Sequence, residues 1–203
     1  MSASSVAASS ITQGLPKSRS LLAGNYAYGG GATWLIERIN VGSAGASSVT
    51  FSNIPQTFKH LQIRGLARMT AANYVDDTNW TFNNDNGTNY YATHQVRGNG
   101  SAASAYASGT ATYFRPFPPP EASTGSNIFG VGIIDIHNYT STNMYKTIRS
   151  LSGYDDNTTL GYASAWFRSC LWMSTAAVST ISIAANSGVF SQYSSFALYG
   201  VVG

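Results

Sequence analysis

The sequence is short of charge. Its 203 residues include 11 Lys and Arg against 8 Asp and Glu, so that charged residues are 9% of the chain and the net charge is +3. Typical soluble domains are about 25% charged. The bases are scattered, and the closest grouping is Arg64 with Arg68. Because nucleic-acid binding needs Lys and Arg clustered on one face, we expect no nucleic-acid partner.

Cysteine and long apolar runs are also scarce. Cys170 is the only cysteine, which excludes an intrachain disulfide and a metal site built from several cysteines. No stretch approaches the ~18 apolar residues of a membrane helix, and Met1–Ser10 has neither the basic start nor the apolar stretch of a signal peptide. These absences lead us to expect a soluble protein with no membrane partner, made in the cytoplasm.

Apolar and small polar residues are plentiful instead. Hydrophobic residues are 43% of the chain and aromatic residues 13%, and there are 20 Gly and 13 Tyr. This is enough apolar material for a core, and the length suits one core with an appendage.

The appendage is the N-terminal segment, residues 1–31, which is rich in Ser, Ala and Gly. Alone it could not bury enough apolar surface to offset its ordering entropy. We therefore expect an extended arm that lies on a neighbouring subunit or a larger surface; packing on its own domain is the alternative. Its candidate contact residues are Ile11, Leu15, Leu21, Leu22, Tyr26 and Tyr28.

From residue 32 to residue 203 the pattern is that of short strands. Apolar residues alternate with polar ones, and clusters of Gly, Asn, Ser and Asp separate the runs. In His60–Met69, for example, Leu61 and Ile63 share one face, and Gly65 is a candidate bulge. Nine or ten such strands predict an all-β domain, an antiparallel β-sandwich that is jelly-roll-like.

Three segments between the strands carry turn or breaker signals. Asn86-Gly87 predicts a tight hairpin that joins strands at 79–82 and 90–97. Gly98–Gly109 is of low complexity and is predicted to be a loop before a strand at Thr110–Phe114. The triple proline Pro118–Pro120 cannot lie within a sheet.

No catalytic signature is present. There is no Gly-x-Ser-x-Gly elbow, and His60, His94 and His137 lie on separate predicted strands without a local pattern. Asp76-Asp77, Asp85 and Asp155-Asp156 fall in predicted loops, where turn formation is the usual role of Asp. Asp135 lies mid-strand, and we expect it to pair with an arginine such as Arg149 on a neighbouring strand. We therefore predict no enzymatic activity and no catalytic residue.

Metal and cofactor binding are not predicted either. Asp85-Asn86-Gly87 has the oxygen-rich character of a calcium loop, but the spacing of a twelve-residue loop and its terminal Glu are missing. The aromatic residues have two interpretations. Tyr90 and Tyr106 are candidates for a surface that recognises a sugar; the same residue types also suit the core of a protein interface.

Several short stretches, in this order, resemble a group of structural proteins of tailed-bacteriophage virions. They are FSNIPQTFKHL (51–61), FNND (82–85), NY (89–90), GNGS (98–101), LW (171–172), ISI (181–183), SG (187–188) and QYSSFALYG (192–200). The group includes capsid decoration (cement) proteins and fibre or tail modules of jelly-roll type. The resemblance does not cover the arm and offers no catalytic residue.

The resemblance implies a structural role in the virion, with synthesis in the host cytoplasm. The first expectation is a decoration protein on the outside of the capsid. It would bind the major capsid protein and neighbouring copies of itself, and clamp adjacent capsomers through the arm and the sandwich. Association as a homotrimer is implied by the resemblance alone. The alternative expectation is a tail or head fibre module that attaches to a host-surface glycan.

Overall fold

The computed structural model describes residues 33–157 and 163–203. The arm, including its candidate contacts Ile11, Leu15, Leu21, Leu22, Tyr26 and Tyr28, lies outside the described residues. The described residues belong to one compact unit, Thr33–Gly203.

The described chain is all-β and forms two antiparallel sheets, which confirms the predicted sandwich. It contains twelve strands: β1 Thr33–Asn40, β2 Ser48–Phe51, β3 His60–Ala67, β4 Thr78–Phe82, β5 Tyr90–Gly98, β6 Ala103–Ala107, β7 Thr110–Ala111, β8 Gly130–Ile136, β9 Lys146–Tyr154, β10 Ser164–Trp172, β11 Ile181–Ala185 and β12 Ser195–Val201.

The two sheets are unequal. The large sheet has the order β1-β12-β3-β8-β9-β10-β5-β6, with the short β7 also pairing with β5, and the small sheet has the order β2-β11-β4. Strands from the start of the chain pair with strands from its end, as β1 with β12, β2 with β11 and β5 with β10. The middle strands β8, β9 and β10 pair consecutively instead. The jelly-roll-like variant of the sandwich stays a prediction.

The core lies between the sheets and follows from the period-two alternation of the strands. In β3 the side chains of Leu61 and Ile63 are buried, while Arg64 is exposed. Buried residues of the small sheet, such as Phe51 and Ile183, belong to the same apolar cluster. The predicted bulge at Gly65 is wrong, because Gly65 pairs in register with Gly132 of β8.

Three strands cannot cover the inner face of a nine-stranded sheet, and the segment 114–121 covers part of the remainder. Its residues are buried apart from the partly exposed Arg115. Phe117 packs on the paired glycines Gly65 and Gly132, where an added Cβ would come within 3.0 Å and 2.9 Å of its ring. The two missing side chains make the space that the ring occupies. As predicted, the triple proline lies outside the named strands.

The predicted hairpin at Asn86-Gly87 is wrong, because β4 belongs to the small sheet and β5 to the large sheet. The intervening residues cross between the sheets. Within this crossing segment, the residues with positive φ are Asn83 and Asn84, at 52° and 55°. The Asn83 side-chain oxygen accepts hydrogen bonds from the backbone N–H groups of Ser179 (2.8 Å) and Thr180 (3.1 Å), which anchors the crossing to the small sheet.

A tight hairpin occurs instead inside the segment that was predicted to be a loop. The Asn99 N–H donates to the Ala102 carbonyl at 3.1 Å, and Gly100 has a φ of 86°, which suits a glycine-started two-residue turn. β5 and β6 are the arms of this hairpin. The strand expected at Thr110–Phe114 is reduced to Thr110–Ala111.

Two buried cations tie the large sheet to the loops that surround it. Arg168 on β10 forms an ion pair with Asp77 and donates to the Arg115 carbonyl at 2.8 Å. The Lys146 ammonium, at the start of β9, donates to the carbonyls of Ser141 at 2.7 Å and Met144 at 2.9 Å. Arg168 thus has an acidic partner and Lys146 has carbonyl partners, whereas the buried Nε of Arg168 has no hydrogen-bond partner among the described residues.

The position of Phe117 leads to a stability prediction. Phe117 is fully buried, whereas Phe167 on the outer face of the same sheet is 49% exposed. We expect Phe117→Ala to lower the free energy of unfolding by about 3–5 kcal/mol, since it leaves a cavity over Gly65 and Gly132. The matched control, Phe167→Ala, should cost much less. Urea unfolding of both variants measures the difference, and equal losses would contradict the assignment.

Candidate interaction surface

The outer face of the large sheet carries an apolar row that runs across four strands. Residues directly opposite each other on neighbouring strands share a face. Ile133 on β8 lies opposite Leu151 on β9, Leu151 opposite Phe167 on β10, and Phe167 opposite Val96 on β5. All four side chains are exposed, Leu151 to 61%. Together with Leu66 and Val131, which pair beside this row, they are called the apolar row below.

A row of polar side chains, the polar row, runs parallel to the apolar row on the same face of the sheet. It lies on the side away from Leu66 and Val131. Its members are Gln62, Asp135, Arg149, Ser169 and His94. The predicted partnership of Asp135 with Arg149 is confirmed, with 3.5 Å between their side chains. Asp135 also accepts a hydrogen bond from Gln62 at 2.9 Å. The outer face therefore has an apolar centre and a polar border.

The outer face of the small sheet is different in kind. Its outward positions are mostly Ser, Thr and Asn: Ser48, Thr50, Asn79, Thr81, Ser182 and Ala184. Thr50 and Ser182 share a hydrogen bond of 3.2 Å. A water-facing sheet normally alternates apolar inward with polar outward residues. The small sheet follows this rule and the large sheet does not, which makes the apolar row the candidate interaction surface.

A shallow groove of about 470 Å³ lies at the end of the apolar row. It is bordered by Phe167 and Val96, by His94 and Ser169 of the polar row, and by β6. Both apolar contact area and hydrogen-bonding side chains are therefore available at one place on the face.

Tyr90, a candidate surface-recognition residue, is not at the surface, and this prediction is wrong. It pairs with Trp172 across the sheet and stacks on that ring, with 6.2 Å between ring centroids. Its hydroxyl accepts a hydrogen bond from the Phe82 N–H at 3.0 Å. Burial raises the pKa of Tyr90 to about 12. A bulge at Ser169/Leu171 shifts the register before Tyr90, so that sequence alternation alone cannot assign its face.

Tyr106, the second candidate, is 60% exposed on β6. It lies opposite Gln95, which lies opposite the buried Arg168. By its pairing Tyr106 belongs to the inner side of the sheet, although Tyr106 also borders the groove at the end of the apolar row. Its role in recognition stays a prediction.

Two of the three histidines meet. The rings of His60 and His137 lie edge to face with 5.0 Å between centroids, and His60 Nδ1 accepts the N–H of Asn138 at 3.0 Å. Burial, together with the neighbouring His137 and Lys59, lowers the pKa of His60. Because Nδ1 is occupied by a backbone donor, this ring is held in a structural role. His94 lies apart, in the polar row.

Asp85, considered for calcium, has structural partners instead. Its carboxylate accepts from the indole of Trp172 at 2.8 Å, from Gly87 N–H at 2.9 Å and from Asn89 at 3.0 Å. Burial by itself would raise the pKa of Asp85, but these hydrogen bonds outweigh it and lower the pKa. Among the described residues, no group of three or more His, Cys, Asp or Glu is placed to hold a metal ion.

Two other carboxylates, those of Glu121 and Asp76, share the hydroxyl of Ser187. Its hydroxyl lies 2.7 Å from Oε1 of the fully buried Glu121 and 2.8 Å from Oδ2 of Asp76. A hydroxyl has one hydrogen, so that it can donate to only one carboxylate. Within residues 33–157 and 163–203, Glu121 Oε2 has no hydrogen-bond partner. One of the two carboxylates therefore faces the hydroxyl oxygen of Ser187 without receiving its hydrogen.

No protein family, curated protein or solved structure matches the chain. The resemblance to virion proteins therefore stays a prediction. No helix in the described part of the chain is long and apolar enough to cross a membrane.

The apolar row was not identified from the sequence. One signal could have identified it: Ile133-Ile134 and Trp166-Phe167 place apolar residues on both faces of one strand. Strands with one solvated face show clean alternation, whereas strands covered on both faces read as continuous apolar runs. Such pairs predict a second face that carries apolar residues.

The Glu121 arrangement leads to a pH prediction. Burial, followed by the neighbouring Asp76, raises the pKa of Glu121 in the folded state. A raised folded-state pKa contributes stability that is complete below the unfolded value of about 4.3 and is lost as pH rises through the folded value. Glu121→Gln should therefore gain stability relative to the native chain as pH rises from 4 to 8, measured by urea unfolding. Glu37→Gln, on the exposed edge strand β1, is the control. A parallel pH profile for Glu121→Gln and the native chain would contradict the assignment.

Proposed function

We propose that the protein is a structural component of a phage virion that decorates the capsid and acts by binding, not by catalysis. The observation that supports this is the apolar row on the outer face of the large sheet, a face that the sandwich itself leaves uncovered. The row has the composition of an interface centre, apolar and free of charge, with a polar border.

The decoration role follows from what such a face can do physically. A flat apolar surface gains roughly 25 cal/mol for each Å² of apolar area removed from water, before the costs of association are subtracted. One copy bound across two capsomers adds contact that must be broken before the shell opens. The arm, residues 1–31, is proposed to extend this contact over the shell or a neighbouring copy.

Attachment to a host glycan is the second proposal, and the groove beside β6 supports it. The groove combines the ring of Phe167 with polar side chains of His94 and Ser169. Aromatic rings together with hydrogen-bonding groups are suited to a sugar. The proposal now depends on this groove, since Tyr90 is buried.

Copy number separates the two proposals. Quantitative mass spectrometry of purified virions would report copies of this chain for each major capsid protein. Decoration predicts a ratio comparable to the shell protein, whereas a fibre or tail module predicts a small fraction of it. Absence of the chain from virions would contradict both.

The second measurement addresses the surface itself. Leu151→Thr combined with Phe167→Thr keeps good strand formers and removes apolar area from the outer face. We expect this variant to fold as the native chain does and to bind purified capsids at least tenfold more weakly. Tyr145→Thr is the matched control, because it removes an exposed aromatic side chain outside the row. Deletion of residues 1–30 tests the arm separately. Unchanged binding by the double variant would contradict the role of the row.

A further inference from the structure

The described sheets have four edges, and three of them are protected. Edge strands expose backbone N–H and C=O groups that can pair with another chain, and proteins usually blunt them with charge, bulges, short length or covering loops. β1 carries Glu37 and Arg38 and a bulge at Leu35/Glu37. β2 has only four residues. β4 is covered by Phe114, which exchanges two backbone hydrogen bonds with Trp80, at 2.9 Å and 3.1 Å.

β6 carries no charge and no bulge, and no segment within residues 33–157 and 163–203 pairs with its outer edge. It is the strand Ala103–Ala107, with the sequence ASAYA, and all five of its residues are exposed. No charged residue and no proline occurs between Gly98 and Thr112. In the part of the chain that the structure describes, the only strand paired with β6 is β5.

The hydrogen bonds of the hairpin show which residues face the open edge. Asn99 N–H donates to Ala102, and Ser108 N–H donates to Thr93, so these two positions are hydrogen-bonded pairs. In an antiparallel ladder such pairs alternate with pairs whose backbone groups point away from each other. Counting along the register, the outward backbone groups belong to Ala103, Ala105 and Ala107.

We propose that β6 pairs with β6 of a second copy, antiparallel, across a two-fold axis at Ala105. In this register Ala105 lies opposite its own counterpart, and Ala103 lies opposite Ala107 of the other copy. All three outward residues then pair, for about six hydrogen bonds. If the two-fold axis lay at Ser104, Ala107 of each copy would have no outward-facing residue opposite it. If it lay at Tyr106, the same would be true of Ala103.

The composition of β6 favours a second copy as the occupant. An uncharged strand meets no like charge when it pairs with itself, and its alanines permit close approach. Tyr106 would lie opposite Ser104 of the other copy, which covers the exposed ring. A two-fold contact is self-complementary and therefore closes after two copies.

The pairing joins two outer faces into one. Ala105 lies opposite Val96, the last residue of the apolar row, so that the row of one copy continues across the axis into the row of the other. The pairing proposal does not rest on capsid binding. A five-residue edge buries little area, so we expect a weak dimer that forms in a concentration-dependent way.

Proline at position 105 tests the register directly. Ala105→Pro removes an outward N–H and no hydrogen bond to β5, at an edge position where proline is tolerated. Ala105→Ser keeps the N–H and is the matched control. Sedimentation equilibrium of the full chain should show a monomer–dimer equilibrium for the native chain and for Ala105→Ser. For Ala105→Pro, with an unchanged unfolding midpoint, we expect dimerisation at least tenfold weaker.

Three results would overturn the proposal. The first is a native chain that stays monomeric up to its solubility limit, and the second is a native chain that forms trimers. The third is an Ala105→Pro variant that dimerises as well as the native chain does.

A cysteine trap gives an answer even if the proline variant fails to fold. Hydrogen-bonded antiparallel partners have Cα atoms about 5.5 Å apart, within the ~4.4–6.8 Å that a disulfide spans. Because Cys170 is buried, Ala105→Cys would carry the one accessible thiol among the described residues. We expect rapid oxidation to a disulfide-linked dimer, much faster than for Ser48→Cys on the small sheet. Equal rates for the two variants would overturn the two-fold register.

Discussion

The structure depends on a mismatch in width between its two sheets. A sheet of nine strands faces a sheet of three, and a sheet buries apolar surface only where another layer covers it. The segment 114–121 supplies part of the missing layer, and the glycine pair Gly65 and Gly132 admits the ring of Phe117 beneath it. The buried cations Arg168 and Lys146 bind carbonyls of the surrounding loops. The buried segment 114–121 therefore compensates for the narrow second sheet.

The same mismatch explains the two surfaces that carry the proposals. The small sheet has a Ser- and Thr-rich outer face and needs no further cover. The large sheet has an apolar row on its outer side and, at its far end, a hairpin that extends past the small sheet. Leu151 and Phe167 on the face, and Ala105 on the edge, offer different contacts: side-chain burial in one case and backbone pairing in the other. Binding through one leaves the other available.

The fold class could be predicted from residues 32–203 because alternation with a period of two is a local property. β3, His60–Ala67, lies within the strand predicted at His60–Met69. The errors concern pairing. Asn86-Gly87 has the composition of a hairpin turn, but its flanking strands find partners in β11 and β10, far along the chain. Conversely, Gly98–Gly109 has Tyr106 as its one large side chain, and its strand forms because β5 offers an edge to which a tight turn returns the chain.

By itself the sequence determined the all-β class, the alternation within each strand, the pairing of Asp135 with Arg149, and a chain poor in charge and in cysteine. Only the tertiary structure decided which apolar residues are core and which are surface. Phe117 and Phe167 are indistinguishable by residue type, yet one is fully buried and the other half exposed. Likewise, Tyr90 is fully buried and Tyr106 is 60% exposed. The reason is physical: alternation tells two faces of a strand apart, but which face is covered depends on strands that are remote in sequence and on the width of the opposing sheet.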